Sequence, residues 1–272
     1  MAHYPTVSVD IASWETSPRE PGEFSVTTVL DGGLAAHANV AVRRHARHIV
    51  VFLPGAQGPQ SKRRVPFFHR WSWQEDLPNA HVIAIGDPAI ALDQRILGAW
   101  FMHRDLDLIA DMANFVGRIA RTLQVGAESV TFHGSSLGGF GAIGMAAHLR
   151  GATAISEIPQ IDVESWPVPS AVQLLGDLVG EPLSEFRKKR PERVDLLERI
   201  KHAKVIPAFA LITNTEDASY GQQLEFMANL SKLSPVYEVV GKQQLSVTEV
   251  THGHQPLPKE AALEWIRQLT FK

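Results

Sequence analysis

The chain contains no cysteine, an absence that excludes a disulfide scaffold, a thiolate metal site and a cysteine nucleophile together. It also lacks a basic surplus. Against 26 Lys and Arg stand 29 Asp and Glu, a net charge of −3, so no nucleic-acid partner is expected from phosphate electrostatics. Long apolar runs are missing as well. The most apolar stretch, residues 83–102, is broken by Asp87, Pro88, Asp93 and Arg95, leaving no run of roughly 18 apolar residues to span a bilayer. The first residues carry Asp10, Glu15, Pro18 and Glu20 where an export signal needs an apolar segment, so a soluble, cytoplasmic protein is expected. Twelve histidines are present but scattered. The close pairs, His45/His48 and His252/His254, lack the HExxH spacing that sets two imidazoles on one helical face, so no metal is expected.

What is present suits a large α/β domain. Of 272 residues, 44% are hydrophobic and 20% charged, enough apolar side chain to build a core and too little charge for disorder. The expectation is one domain over residues 1–272. Short β-branched or apolar runs at 48–53 and 81–86 are each stopped by turn residues (Pro54-Gly55, Asp87-Pro88), the pattern of strands covered on both faces. Between 105 and 123, Leu106, Ile109, Ala113, Val116, Ile119, Ala120 and Leu123 recur at steps of one helical turn, with Gly126 placed to end the helix.

Strands at 129–132, 152–156 and 205–212 follow, interleaved with helices at 140–149 and 220–233. Two further strands are predicted at 236–240 and 246–250, then a closing helix at 258–269 opened by Pro258. Alternation of this kind predicts a doubly wound, mostly parallel sheet with helices on both faces. Residues 1–40 read as edge strands. Residues 161–203 break the alternation and predict an insertion, read first as a solvated helical crossover and second as a small helical cap over the carboxyl edge.

The segment His133-Gly-Ser-Ser-Leu-Gly-Gly139 carries the chemistry. Residues 134–138 fit G-x-S-x-G between a predicted strand and a predicted helix. A serine at so sharp a turn is held in a strained backbone conformation, and the residues two before and two after it must be very small. Ser136 has Gly134 and Gly138 in those places; Ser135 would have His133 and Leu137. Ser136 is therefore the candidate nucleophile. Its oxyanion donors would be the Leu137 N–H, which opens the next helix, and an N–H from Ala56 or Gln57 in the loop after strand 48–53.

A serine nucleophile needs an imidazole base, and the base needs a carboxylate. Asp217 lies just beyond strand 205–212, ahead of its neighbour Glu216 as the acid. His252 and His254 lie between the last strand and the closing helix. His252 is the first choice as base because Gly253 leaves room beside it, with His254 as the alternate. Asp87 at an earlier strand end is a rival acid, more simply a turn cap.

These residues resemble the α/β-hydrolase superfamily over roughly residues 48–270. More narrowly, Gly138-Gly-Phe-Gly-Ala142, Ile158-Pro-Gln-Ile-Asp162 and the Gly86-Asp-Pro88 turn ahead of Trp100 are similar to hydrolase-like proteins linked to bacterial surface polysaccharide or glycoprotein export. The resemblance implies a Ser-His-Asp triad working through an acyl-enzyme without cofactor or metal. An ester, small or on a carbohydrate, is the expected substrate. Acyl transfer to an alcohol and a non-catalytic binding or assembly role remain alternatives. Trp71, Trp73, Trp100 and Gln160 are possible neighbours of the site.

Overall fold

The computed structural model describes residues 5, 7–17, 20–58, 62–248 and 253–271. In chain order the elements are β1 (Val7–Asp10), α1 (Ile11–Thr16), β2 (Gly22–Val29), β3 (Ala35–Val42), β4 (Ile49–Phe52), β5 (His81–Ile85), α2 (Leu108–Thr122), β6 (Val130–Ser135), α3 (Leu137–His148) and β7 (Thr153–Glu157). After them come α4 (Pro169–Val179), α5 (Leu183–Lys189), α6 (Leu196–Ala203), β8 (Val205–Ile206), β9 (Ala208–Asn214), α7 (Tyr220–Leu233), β10 (Glu238–Val239), β11 (Gln243–Thr248) and α8 (Lys259–Thr270).

Nine strands form one sheet in the order β1-β2-β3-β5-β4-β6-β7-β9-β11. Among the described residues only β3 runs against its neighbours; the other pairings are parallel. The two-residue strands β8 and β10 pair separately. The central strands β4, β5, β6, β7 and β9 are buried on both faces, whereas the edge strands β1 and β11 are partly exposed. Ile49 and Val51 of β4 join the core under α2, α3, α6 and α7, whereas Val50 and Phe52 join the core under α8. This period-2 division is why continuous apolar runs, rather than alternating ones, marked the strands.

The boundaries show where local signals were overridden. Pro207 splits the predicted strand 205–212 into β8 and β9, since it has no N–H for a ladder. Helix α2 ends at Thr122, with Leu123 as its C-cap and Gln124 in the left-handed region (φ 58°), not at Gly126, whose φ is −71°. Its start is capped by Asp107, which accepts the Ala110 N–H at 3.2 Å. Helix α3 begins three residues earlier than its apolar pattern suggests because the elbow serine leads directly into it. Residues 161–203 form the three helices α4 to α6. The Arg199 side chain of α6 is buried against Asp107 (2.5 Å) and His148 (3.1 Å), which ties α6 to α2 and α3. Arg187, Lys188 and Lys189 are paired with carboxylates of Asp162, Glu185 and Glu181. Among the described residues no helix is long and apolar enough to cross a membrane.

Candidate active site

At the carboxyl edge of the sheet β6 turns into α3 through Ser136, whose φ of 56° and ψ of −124° lie outside the regions open to most residues. Strain of this kind costs on the order of 1–3 kcal/mol and persists because the surroundings enforce it. A Cβ on Gly134 would fall 2.3 Å from the Gly138 carbonyl oxygen, and one on Gly138 would fall 2.7 Å from the Pro54 carbonyl oxygen. Both obstacles are backbone, so neither can swing aside. The Ser136 N–H donates to the Glu157 carbonyl at 2.9 Å, which fastens the elbow to β7.

The Ser136 hydroxyl lies 2.8 Å from Nε2 of His254, and Nδ1 of His254 lies 2.6 Å from Oδ2 of Asp217. With the buried carboxylate accepting from Nδ1–H, Nε2 is the unprotonated nitrogen and accepts from the serine O–H. Asp217 is in turn held from behind: its Oδ1 accepts the Ser219 N–H at 2.8 Å and the Gln223 amide at 3.1 Å. Asn214, at the end of β9, joins the loops that carry Asp217 and His254. Its Nδ2 donates to the Gly253 carbonyl (3.1 Å), and its Oδ1 accepts the Glu216 N–H (3.0 Å). Of the two histidine candidates, His254 occupies the position between serine and carboxylate; His252 lies outside the described residues. Glu216 is exposed, and Ser135 points away from the site toward Arg70 at 3.4 Å.

The two candidate loop amides differ. Gln57 N–H donates to the Leu97 carbonyl at 2.8 Å, so it is already engaged and does not face an oxyanion. Its side chain clasps Arg64 at both ends, donating to the Arg64 carbonyl (2.9 Å) and accepting the Arg64 N–H (2.7 Å). Gln57 is thus a brace for the loop. Asp87 is not an acid for His254. Its buried carboxylate accepts from Ala89 N–H (3.0 Å) and Phe101 N–H (2.8 Å), and burial pushes it up to about 6.

Beneath the elbow lies a buried ionic cluster that residue order alone did not reveal. Glu157 Oε1 is 3.1 Å from Arg70 Nη1 and 2.7 Å from His133 Nε2. Its Oε2 accepts the Leu257 N–H at 2.8 Å, bracing the chain just beyond His254. Burial alone would raise Glu157, but the Arg70 guanidinium and His133 outweigh it and hold the carboxyl at about 2. Burial, helped by Arg70, lowers His133, so its neutral ring donates from Nε2 to Glu157 and turns Nδ1 toward Arg70 at 3.0 Å. His69, lowered to about 4 mainly by burial and then by Arg70, accepts the Gly55 N–H at 3.3 Å next to the Ala56 loop. The clue to this cluster was His133 itself, a large polar residue inside an apolar strand.

Of the tryptophans, Trp71 is core and Trp73 stacks under Arg70 at 4.6 Å. Trp100 reaches the site, its indole N–H 3.1 Å from Gln160 Oε1. Trp166, which the sequence did not single out, lies against His254 with ring centroids 4.6 Å apart. A cleft of about 530 Å³ lined by Arg43, Arg44, His81 and Gln124 opens at the opposite, amino edge of the sheet, away from these groups.

Sheet order, single reversed strand, strand-to-helix elbow and helices on both faces together define the α/β-hydrolase fold. Solved structures agree. The capsule O-acetyltransferase of Neisseria meningitidis serogroup A superposes with a TM-score of 0.66 at 14% identity, over 89% of this chain and 96% of that enzyme. The Glycosylation Associate Protein complex from Streptococcus agalactiae gives 0.61 at 13% identity, over 90% of this chain and 46% of its counterpart. S-formylglutathione hydrolase from Staphylococcus aureus gives 0.51 at 15% identity, over 93% and 99%. No family model matches the sequence, and no curated protein does.

Proposed function

We propose that this chain is a serine hydrolase of the esterase type. Ser136 Oγ attacks an acyl carbon while His254 Nε2 takes its proton, and Asp217 stabilises the imidazolium that forms. The oxyanion accepts hydrogen bonds from Leu137 N–H and Ala56 N–H. His254 then protonates the leaving oxygen, and water, deprotonated by the same nitrogen, releases the acid. The observation that carries this reading is the unbroken chain of contacts from Ser136 through His254 to Asp217, at 2.8 and 2.6 Å. A small or carbohydrate-borne ester is the proposed substrate, in keeping with the capsule O-acetyltransferase and S-formylglutathione hydrolase neighbours. Transfer of the acyl group to an alcohol is the second reading, favoured by the near-complete overlap with the capsule O-acetyltransferase.

Labelling with a fluorophosphonate tests the proposal. Wild type, Ser135→Ala and His252→Ala are expected to label, whereas Ser136→Ala and His254→Ala are not. A folded wild type that takes no label sinks the reading. Loss on His252→Ala with retention on His254→Ala would move the base.

A further inference from the structure

Gln160 is fully buried, yet its carboxamide touches both reacting side chains. Nε2 lies 2.9 Å from Ser136 Oγ and 3.0 Å from His254 Nε2. The orientation of the amide is decided by Trp100. An indole nitrogen can only donate, so the carboxamide atom 3.1 Å from it must be oxygen, which turns both amide hydrogens toward Ser136 and His254. Trp100 is itself set in place. Trp100 and Phe101 both have positive φ (51° and 55°), and the Asp87 carboxylate grips the Phe101 N–H at 2.8 Å. A strained turn, a capping carboxylate and an indole thus serve to aim one amide group.

Building on the serine-hydrolase reading and its acyl-transfer variant, we propose that Gln160 forms the acceptor subsite: its amide N–H orients the hydroxyl of an alcohol whose carbon skeleton rests on Trp166, whereas water, with no skeleton to hold, reaches the acyl carbon without depending on that hydrogen bond. Once Ser136 Oγ is esterified, the His254 Nε2 lone pair no longer accepts from the serine O–H, and the Gln160 amide hydrogen beside it can turn to the incoming oxygen. An incoming ROH donates its proton to His254 Nε2 and uses one oxygen lone pair to attack the acyl carbon. Its second lone pair accepts from Gln160. The new O–C bond forms as the Oγ–C bond breaks, and Oγ recovers the proton from His254. No other reactant is needed. The half-buried Trp166 indole against His254 supplies an apolar wall where the carbon skeleton of an alcohol, unlike water, gains contact.

The test is the partition of one acyl-enzyme. With p-nitrophenyl acetate as donor and methyl α-glucopyranoside or glycerol as acceptor, the ratio of acetylated acceptor to free acetate is measured. Acylation is common to both products, so its rate cancels. Wild type should form acetylated acceptor. Gln160→Met, which loses donor and acceptor, and Gln160→Glu, which keeps a partner for Trp100, should each lower the ratio at least about fivefold, the worth of one well-placed hydrogen bond. If Gln160→Met does not fold, Gln160→Glu carries the comparison. A wild type releasing only acetate, or an unchanged ratio in a folded variant, overturns the assignment while leaving the hydrolase reading intact. A wild type that takes neither fluorophosphonate nor acetyl removes that reading, and the assignment with it.

Discussion

Glu157 holds Ser136 by its main chain and, through the Leu257 N–H, the chain that bears His254 by its side chain: the Ser136 N–H meets its carbonyl at 2.9 Å, and the Leu257 N–H meets its carboxylate at 2.8 Å. One residue at the end of β7 therefore spaces Ser136 and the chain that bears His254, and the Arg70–His133 pair keeps that residue ionised in the interior.

Glu157→Gln keeps an acceptor for Leu257 but strands the Arg70 guanidinium, whose side chain is only 5% exposed. Breaking a buried ion pair from one side is expected to destabilise by about 3–5 kcal/mol. Urea unfolding checks this; a change below about 1 kcal/mol would mean that Arg70 is already satisfied by His133 and Ser135.

The acid limb of stability follows from groups with opposite signs. Glu157, at about 2 when folded, binds fewer protons than the unfolded chain between its ordinary 4.5 and 2. Its contribution is complete above 4.5 and disappears as pH falls through 2. His69 and His148, both lowered to about 4 by burial first and then by Arg70 and Arg199 respectively, make stability decline as pH falls from 6.5 to 4. Asp87, raised by burial to about 6, acts the other way and adds stability as pH falls from 6 toward 3.8. Thermal melts should show a shallow decline below pH 6.5 that steepens below about 4.5. In Asp87→Asn the decline between 6 and 4 should be steeper than in wild type.

Asp217→Asn separates catalysis from stability. The Asn oxygen still accepts from Ser219 and Gln223, as Oδ1 does now at 2.8 and 3.1 Å, but the atom facing His254 Nδ1 becomes a donor. The imidazole is then held in the wrong tautomer. A fall in ester turnover of about 10³–10⁴-fold is expected, with a melting temperature close to wild type. Equal loss of both would place Asp217 in the scaffold instead.

Gly134→Ala is expected to cost about 3 kcal/mol or more, because its Cβ would lie 2.3 Å from a backbone oxygen that cannot rotate away. Gly221→Ala, in open space on α7, serves as the control and should be neutral or slightly stabilising. Chemical denaturation of both reads the difference.

The elbow was legible in the chain because its constraint is local. Residues 134 and 138 crowd one another across a single turn, and no distant part of the molecule is needed to require glycine at both. The buried strands were legible for a similar reason, since their cores lie on alternate residues of short runs. What decided the rest is contact between segments far apart. His254 and Ser136 meet across 118 positions and Arg70 and Glu157 across 87. Side-chain type and order limit such pairs to a few candidates, but cannot choose between two histidines separated by one glycine. Neither could they show that the Gln57 N–H is taken by Leu97, or that the Trp100 indole fixes which face of Gln160 meets the serine. Spacing along the chain determines which groups can turn a corner together; only the packing of the sheet edges determines which lone pair each hydrogen finds.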